Sequence, residues 1–554
     1  MTCIHSDTSG NYRVYLALKT TEMFKVRHSL LLPLLLILGC DVIPLVNSLR
    51  FLLVTFPIQS HASCMTSIGL GLSARKHDVH FFYAEGNPLP SSLRATQDIK
   101  VELYKRPSLD PESPAFDFNQ IFDQMTRMIL EGKASIREVF DFVGTYTSRE
   151  CRTILMQNDV LLDRLRDMRF DLVVLDGVFF AKCLNLIPHR LQVPWVSLTD
   201  TLEPTLVRTP WLPSFVSNPI MPFTDRMNFF QRIQNTLMSA VAATASLVPE
   251  PDDDILIRYR TYGQFESIDE LAMRTSLWIL STDHTLDYAR PTMPNLIQAP
   301  GLTVKPSTHD LPEDIKAFID GSKHGVILVS FGSMSSQFPS AITEKFLSAF
   351  VQVTGYRIIW RFNNKGDAKL PEDILTLNWI PQNDILAHPK TKLFITHCGN
   401  NGQYESLYHA VPMIGFPLHG DQPYNARRMT HKGFGLAMNI HQFTAEELVA
   451  NIEKILSDKS FKEKISKASE IYRSAPQTSG EKAAWWIEHV TIFGGDHLRS
   501  AGNDLPLYQY LMIDVWAFLF AVSVLFLFGV WKAMRFIIRK VFTRTKRPDK
   551  RKRQ

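Results

Sequence analysis

The chain has 554 residues, more than one hydrophobic core ordinarily organises, so two or more domains are expected. Its net charge of +5 hides an asymmetry: Lys532 to Gln554 carries eleven Lys and Arg against the lone Asp549, which leaves the remainder acidic by about five charges. Basic residues gathered in a tail are not the basic folded surface that nucleic acid requires, and the scattered Cys3, Cys40, Cys64, Cys151, Cys183 and Cys398 signal neither a disulfide framework nor a zinc site.

In chain order, Met23 to His28 gives a charged flank to the apolar run Ser29 to Cys40, the pattern of a secretory signal. Residues 1–48 are therefore read as a leader, with Met23 as an alternative start and cleavage expected after Ser48. Leu49 to Phe56 is a nearly continuous apolar run and predicts a buried parallel strand, followed by a helix from about Ala62 to Lys76 and strands at Asp78 to Tyr83 and Phe170 to Leu175. This α/β alternation defines a first domain over 49–287. The prolines of Tyr288 to Gly301 suit a linker. The alternation restarts over 302–500, with strands at Gly325 to Ser330, Tyr356 to Arg361, Lys392 to Thr396 and Pro412 to Phe416. The fold class is thus α/β, two doubly wound, Rossmann-like domains whose facing sheet edges form a cleft with a site on each wall.

Val515 to Trp531 is charge-free and 17 residues long, enough to cross a thin bilayer. Lys532, Arg535, Arg539 and Lys540 follow it while Asp504 and Asp514 precede it, so the tail 532–554 is expected in the cytosol and the body in a lumen. Lys550 to Gln554 is similar to the K-x-K-x-x retrieval signal of endoplasmic reticulum membrane proteins.

Asn378 to Asn425 carries W-x-P-Q, H-P-K-T, F-I-T-H, P-M-I-G-x-P and D-Q elements in order, and with them the chain resembles the membrane-bound UDP-glucuronosyltransferase and UDP-glycosyltransferase family. The resemblance extends to the leader, linker, membrane helix and tail, and implies a GT-B type fold, a UDP-sugar donor and a small lipophilic acceptor. Physically, strand Lys392 to Thr396 runs through a glycine-bearing turn into a helix near Gln403, whose N-terminal N–H groups suit a diphosphate. The resemblance assigns His397, Asn401, Gly402 and Ser333 to the phosphates, Glu405 to the ribose hydroxyls, Trp379 and Gln382 to the uracil and ribose, and Asp421 and Gln422 to the sugar hydroxyls.

An alcohol is a poor nucleophile at neutral pH and needs a base. His61, after the first strand, stands where the family carries its catalytic His, and Asp176, after strand Phe170 to Leu175, resembles its partner aspartate. Together they imply an inverting displacement of UDP without a metal or other cofactor. Gly69-Leu-Gly71-Leu-Ser-Ala74 fits a dinucleotide fingerprint but falls inside the predicted helix instead of the turn before it.

One departure bears on the sugar. Where glucuronate users often carry W-L-x-R, this chain has Trp278-Ile-Leu-Ser281, and serine cannot pair with a carboxylate. UDP-glucuronate remains the first expectation, with Arg274 or Arg290 as substitute cations; UDP-glucose, or a non-catalytic binding protein on the same fold, are the alternatives. Residues from about 85 to 165 and 200 to 275 are expected to cap the acceptor cleft, with Phe116, Phe118, Phe140 and Phe142 giving it lipophilic character. A homo-oligomer is compatible with all of this.

Overall fold

The computed structural model describes residues 4–6, 12–14, 48–106, 118–133, 136–177, 179–219, 221–244, 251–306, 311–332, 338–362 and 370–544. The signal-like run Ser29 to Cys40, Ser333, Phe116, the side chains of Phe118 and Phe140, and the tail Lys550 to Gln554 lie outside the described residues. Residues 1–48 form a unit of their own. It contains a short antiparallel pair, β1 (Ile4–Ser6) and β2 (Tyr12–Val14).

The body holds two all-parallel sheets. The first comprises β3 (Arg50–Val54), β4 (Asp78–Ala84), β5 (Ile99–Tyr104), β6 (Leu172–Asp176), β7 (Trp195–Thr199), β8 (Leu277–Leu280) and β9 (Leu296–Gln298), in the order β5-β4-β3-β6-β7-β8-β9. The second comprises β10 (Gly325–Ser330), β11 (Tyr356–Arg361), β12 (Ile374–Leu377), β13 (Thr391–Thr396), β14 (Met413–Gly415) and β15 (Gly435–Ala437), in the order β12-β11-β10-β13-β14-β15. In both, the order reverses beside the first strand, which opens a crevice at the carboxyl ends of β3/β6 and of β10/β13.

The unbroken apolar runs follow from burial on both faces. Leu52, Val54, Phe82, Val173 and Leu175 enter one core, while Phe51, Leu53, Phe81, Leu172 and Val174 enter the core on the opposite face. The second sheet divides alike, with Ile327, Val329 and Ile395 on one side and Val326, Leu328 and Phe394 on the other.

Two features differ from the sequence reading. Leu296–Gln298, inside the proline-rich stretch read as a linker, is the seventh strand of the first sheet, because the prolines flank these three residues without interrupting them. Helix Ser479–Phe493, read as part of the second domain, places Ala483, Ala484, Ile487 and Val490 in a first-domain core. It packs on helix Gln59–Ala74, where the decoy glycines find their use: a Cβ at Gly71 would lie 2.6 Å from the Gly480 carbonyl oxygen. A disulfide, which the spacing of the cysteines did not signal, joins Cys151 to Cys183.

The C-terminal helix Ile513–Arg544 is longer at both ends than the expected span, and its apolar stretch Ile513–Phe542 is wholly exposed. At about 1.5 Å per residue it is long enough to cross a bilayer once, with a short tail beyond.

Gly71→Ala should destabilise the body by about 1–3 kcal/mol, because the new methyl meets backbone and not a flexible side chain. A lowered thermal midpoint of the full chain in detergent checks this; an unchanged midpoint contradicts it.

Candidate active site

A single cavity of about 1450 Å³ contains His61 and Asp176 from the first sheet and Trp379, Gln382, His397, Asn401, Gly402, Glu405, Asp421 and Gln422 from the second domain. On the first wall, β6 ends in Asp176, which is 2 % exposed and accepts hydrogen bonds from Thr55 Oγ1 and from His61 Nδ1, each at 2.9 Å. His61 is the third residue of helix Gln59–Ala74, so the turn after β3 carries it to the strand that pairs with β3. Burial opposes the imidazolium, but Asp176, with Asp200 and Asp421 further off, outweighs it and pushes the His61 pKa up to about 9. Asp200 follows β7 and was not foreseen; a Thr-Asp pair at a strand's carboxyl end is the signal that could have found it. Burial raises the pKa of Asp200, and burial with Asp200 nearby raises that of Asp421 to about 6.

On the second wall, His397 follows β13 between two glycines. A Cβ at Gly332 would lie 2.6 Å from its ring, and one at Gly399 2.5 Å from its Nε2; Gly332 also has φ +77°, a left-handed value. Burial, with His419 and Arg361 adding to it, pushes the His397 pKa down to about 3, so the ring is neutral. Its Nδ1 is buried without a hydrogen-bond partner. Helix Asn400–Tyr408 starts beside it with Gly399 as N-cap and no side-chain cap, which leaves its first N–H groups to a ligand.

Glu405 accepts from Gln382 Nε2 at 2.7 Å and from Thr303 Oγ1 at 2.9 Å, and burial nevertheless pushes its carboxyl up to about 7. Trp379 is half exposed beneath the Arg361 guanidinium, 5.4 Å from the ring centre. Gln422 accepts from the backbone N–H of Leu418 and His419, which turns its amide N–H groups into its remaining polar capacity.

One expected phosphate contact, the Asn401 side chain, is engaged elsewhere. The Asn401 amide donates to the Ser60 carbonyl at 3.4 Å and its Oδ1 accepts from Cys64 Sγ at 3.3 Å, both across the cleft. Gly402 lies where a Cβ would stand 3.3 Å from the Gln382 amide, so it permits close packing there. Asn400, not foreseen, donates to the Ser281 carbonyl at 3.1 Å and accepts from the buried Arg428 at 2.7 Å. Phe142 packs against the core and on Tyr146.

This fold of two Rossmann-like domains recurs in solved structures. The glycotransferase of kitacinnamycin superposes with a TM-score of 0.54 at 17% identity, covering 80% of this chain and 99% of that one, and spinosyn forosaminyltransferase SpnP with 0.54 at 14%, covering 80% and 99%. They share the GT-B fold. The profile of the family described as UDP-glucoronosyl and UDP-glucosyl transferase matches residues 51–548. The chain belongs to this family of UDP-glycosyltransferases. Among its relatives, UDP-glucuronosyltransferase 1A6 of Homo sapiens is 31% identical over 503 residues, 87% of this chain and 90% of that protein. UDP-glucuronosyltransferase 1-2 of Mus musculus is 33% identical over 428 residues, 75% and 77%. Human 2-hydroxyacylsphingosine 1-beta-galactosyltransferase is 30% identical over 490 residues, 87% of each. This UDP-glycosyltransferase is an enzyme that takes its place among glycosyltransferases with a C-terminal membrane helix.

Asp176→Asn removes the nearest charge that holds the His61 proton while burial still opposes it, so the His61 pKa should fall from about 9. Histidine NMR titration of the full chain in detergent measures it; an unshifted resonance contradicts the pairing.

Proposed function

We propose that the enzyme transfers a hexosyl group from a UDP-sugar to a hydroxyl of a small lipophilic acceptor, by direct displacement with inversion. The observation that carries this is the hydrogen-bonded His61–Asp176 pair at the switch point of one sheet, sharing a cavity with the uncapped helix N-terminus at the switch point of the other. Asp176 occupies Nδ1 of His61, so the acceptor's proton goes to Nε2, and the carboxylate stabilises the imidazolium as it forms. The acceptor oxygen attacks the anomeric carbon as the bond to the UDP oxygen breaks. The departing diphosphate meets the N–H groups at Asn400 and the neutral His397, which supply preorganised donors to the growing charge. Trp379 offers its ring to uracil, Glu405 and Gln382 face the ribose, and Asp421 and Gln422 face the sugar hydroxyls. No metal or other cofactor enters this scheme.

Charge bears on the choice of donor. Glucuronate, the first expectation, needs a cation for its carboxylate. Arg274 is held by Glu270 at 2.9 Å and Arg290 by the buried Asp287, and neither lines the cavity. Ser281 is turned to Asn400, while Asp176, Asp200 and Asp421 surround the His61 side. Lys182, which also lines the cavity, is paired with Asp269 at 2.6 Å, and Lys305 and Arg361 belong to the nucleotide end, beside Glu405 and Trp379. This supports a neutral hexose, such as that of UDP-glucose, over glucuronate. The basic tail behind the membrane helix supports a luminal body in the endoplasmic reticulum, where the Cys151–Cys183 disulfide is at home.

Microsomes bearing the full chain should release UDP with phenols or steroids, faster from UDP-glucose than from UDP-glucuronate. Preference for UDP-glucuronate would restore the carboxylate-bearing donor. His61→Ala should cost about 10²–10⁴ in kcat/KM. Because the base must be unprotonated and its pKa is raised, kcat/KM of the unaltered enzyme should climb with pH up to about 9; a plateau from pH 6 would remove His61 from the role.

A further inference from the structure

Besides Asp176, the first wall brings two more carboxylates to the cavity, and the reaction described above uses neither. Asp200 follows β7, and Glu203 stands just ahead of the helical turn Pro204–Val207, whose N–H groups its side chain does not cap. Among the described residues neither forms an ion pair, whereas the acids near them do: Asp176 holds His61 at 2.9 Å and Asp269 holds Lys182 at 2.6 Å. The cations whose charge reaches Asp200 are His61, bound to Asp176, and Arg428, which donates to Asn400 and Gln403. The cation that reaches Glu203 is Lys182, bound to Asp269. Burial is the main influence on both carboxyls and raises the pKa of each.

A carboxylate enclosed without a countercharge is costly, and one that opens onto a cavity is completed by whatever enters it. Neutral hydroxyls would fill its lone pairs and leave its charge, and Asp421 on the other wall adds a third acid whose charge Asp200 feels. A metal ion needs several converging ligands, and among the described residues no three side chains of ligating type form such a group. An organic cation meets the demand. It brings charge and N–H donors on an apolar body, and the same wall carries Met125, Ile129, Val143, Phe180, Trp211 and Leu212, of which the Phe180 and Trp211 rings offer faces that attract cations.

We propose that the acceptor is a lipophilic amine, bound as its ammonium by Asp200 and Glu203, with the reacting hydroxyl on the same molecule directed to His61. This rests on the transfer reaction proposed above, since it names the class of molecule that receives the sugar. The pairing also serves the chemistry. Asp176, Asp200 and Asp421 together keep a proton on His61; an ammonium seated on Asp200 cancels one of these three influences, so the arriving acceptor loosens the proton on the base it needs.

The test compares para-(dimethylaminoethyl)phenol with its uncharged carbon isostere, para-isopentylphenol, by equilibrium dialysis against the full chain in detergent near neutral pH, corrected for uptake by protein-free micelles. The ammonium should bind about tenfold or more tighter than the isostere. Asp200→Asn should cut that preference about fivefold or more, and Glu203→Gln should cut it by a smaller factor. Equal binding of the two compounds to the unaltered chain overturns the proposal, and so does a preference that both variants retain in full. Should Asp200→Asn fail to fold, as a lost thermal transition would show, the two compounds on the unaltered chain and on Glu203→Gln decide the matter. Turnover is read separately, with UDP-glucose and UDP-glucuronate: a cation preference without UDP release from either donor would support the amine site and count against the transferase reading alone, whereas release with the isostere as fast as with the amine at low acceptor concentration would overturn the amine as the preferred acceptor.

Discussion

Two helix N-termini meet across the cleft, and the rest of the site is arranged around that contact. Ser60 and Asn401 are each the second residue of their helices, and the Asn401 amide bonds the Ser60 carbonyl. Both helices spring from the reversal point of their sheets, so both positive ends converge on the same space. An anion placed there is favoured from two sides, and the surroundings divide accordingly. Toward the first sheet, Asp176, Asp200 and Asp421 raise the proton affinity of His61; toward the second, Arg361 and His419 join burial in keeping His397 neutral. Opposite shifts on two histidines in one cavity give two imidazoles of very different proton affinity without any difference in side-chain chemistry.

Behind this contact the walls are locked by buried charge. Asp287, between β8 and β9, bonds Arg290 and the Tyr424 hydroxyl and stands 4.0 Å from Arg428. Burial works against its carboxylate, but the two arginines and Tyr424 hold its pKa below the ordinary range. Arg428 in turn donates to Asn400, the residue that opens helix Asn400–Tyr408. Removing one member would leave another buried charge uncompensated, which makes the network a determinant of how the walls register.

The sequence announces the central strands clearly, because Leu52 to Val54 or Val326 to Val329 must satisfy two cores at once and have no room for polar residues. Edge strands such as Ile374–Leu377 and Gly435–Ala437 are short and only partly covered, so their composition carries little signal. The same logic divides the site. His61, Asp176, His397 and Glu405 sit at fixed offsets from central strands and could be placed from those strands. The partners that fix them, Thr55, Thr303 and the Ser281–Asn400 bond, depend on how two distant segments approach, as does the Cys151–Cys183 bridge between residues 32 apart. Asn401 shows the limit most plainly: its position in the motif is legible, but its direction is set by Ser60 and Cys64, more than three hundred residues earlier.

Helix Ser479–Phe493 makes the first domain discontinuous along the chain. Ala483, Ala484, Ile487 and Val490 share a core with residues of helix Gln59–Ala74, more than four hundred residues earlier in the chain. A chimera that joins the first half of this protein to the second half of a relative therefore inherits a mismatched wedge along with its new donor site. The two halves of such enzymes are exchangeable only as far as that late helix still fits the groove left open by the early one.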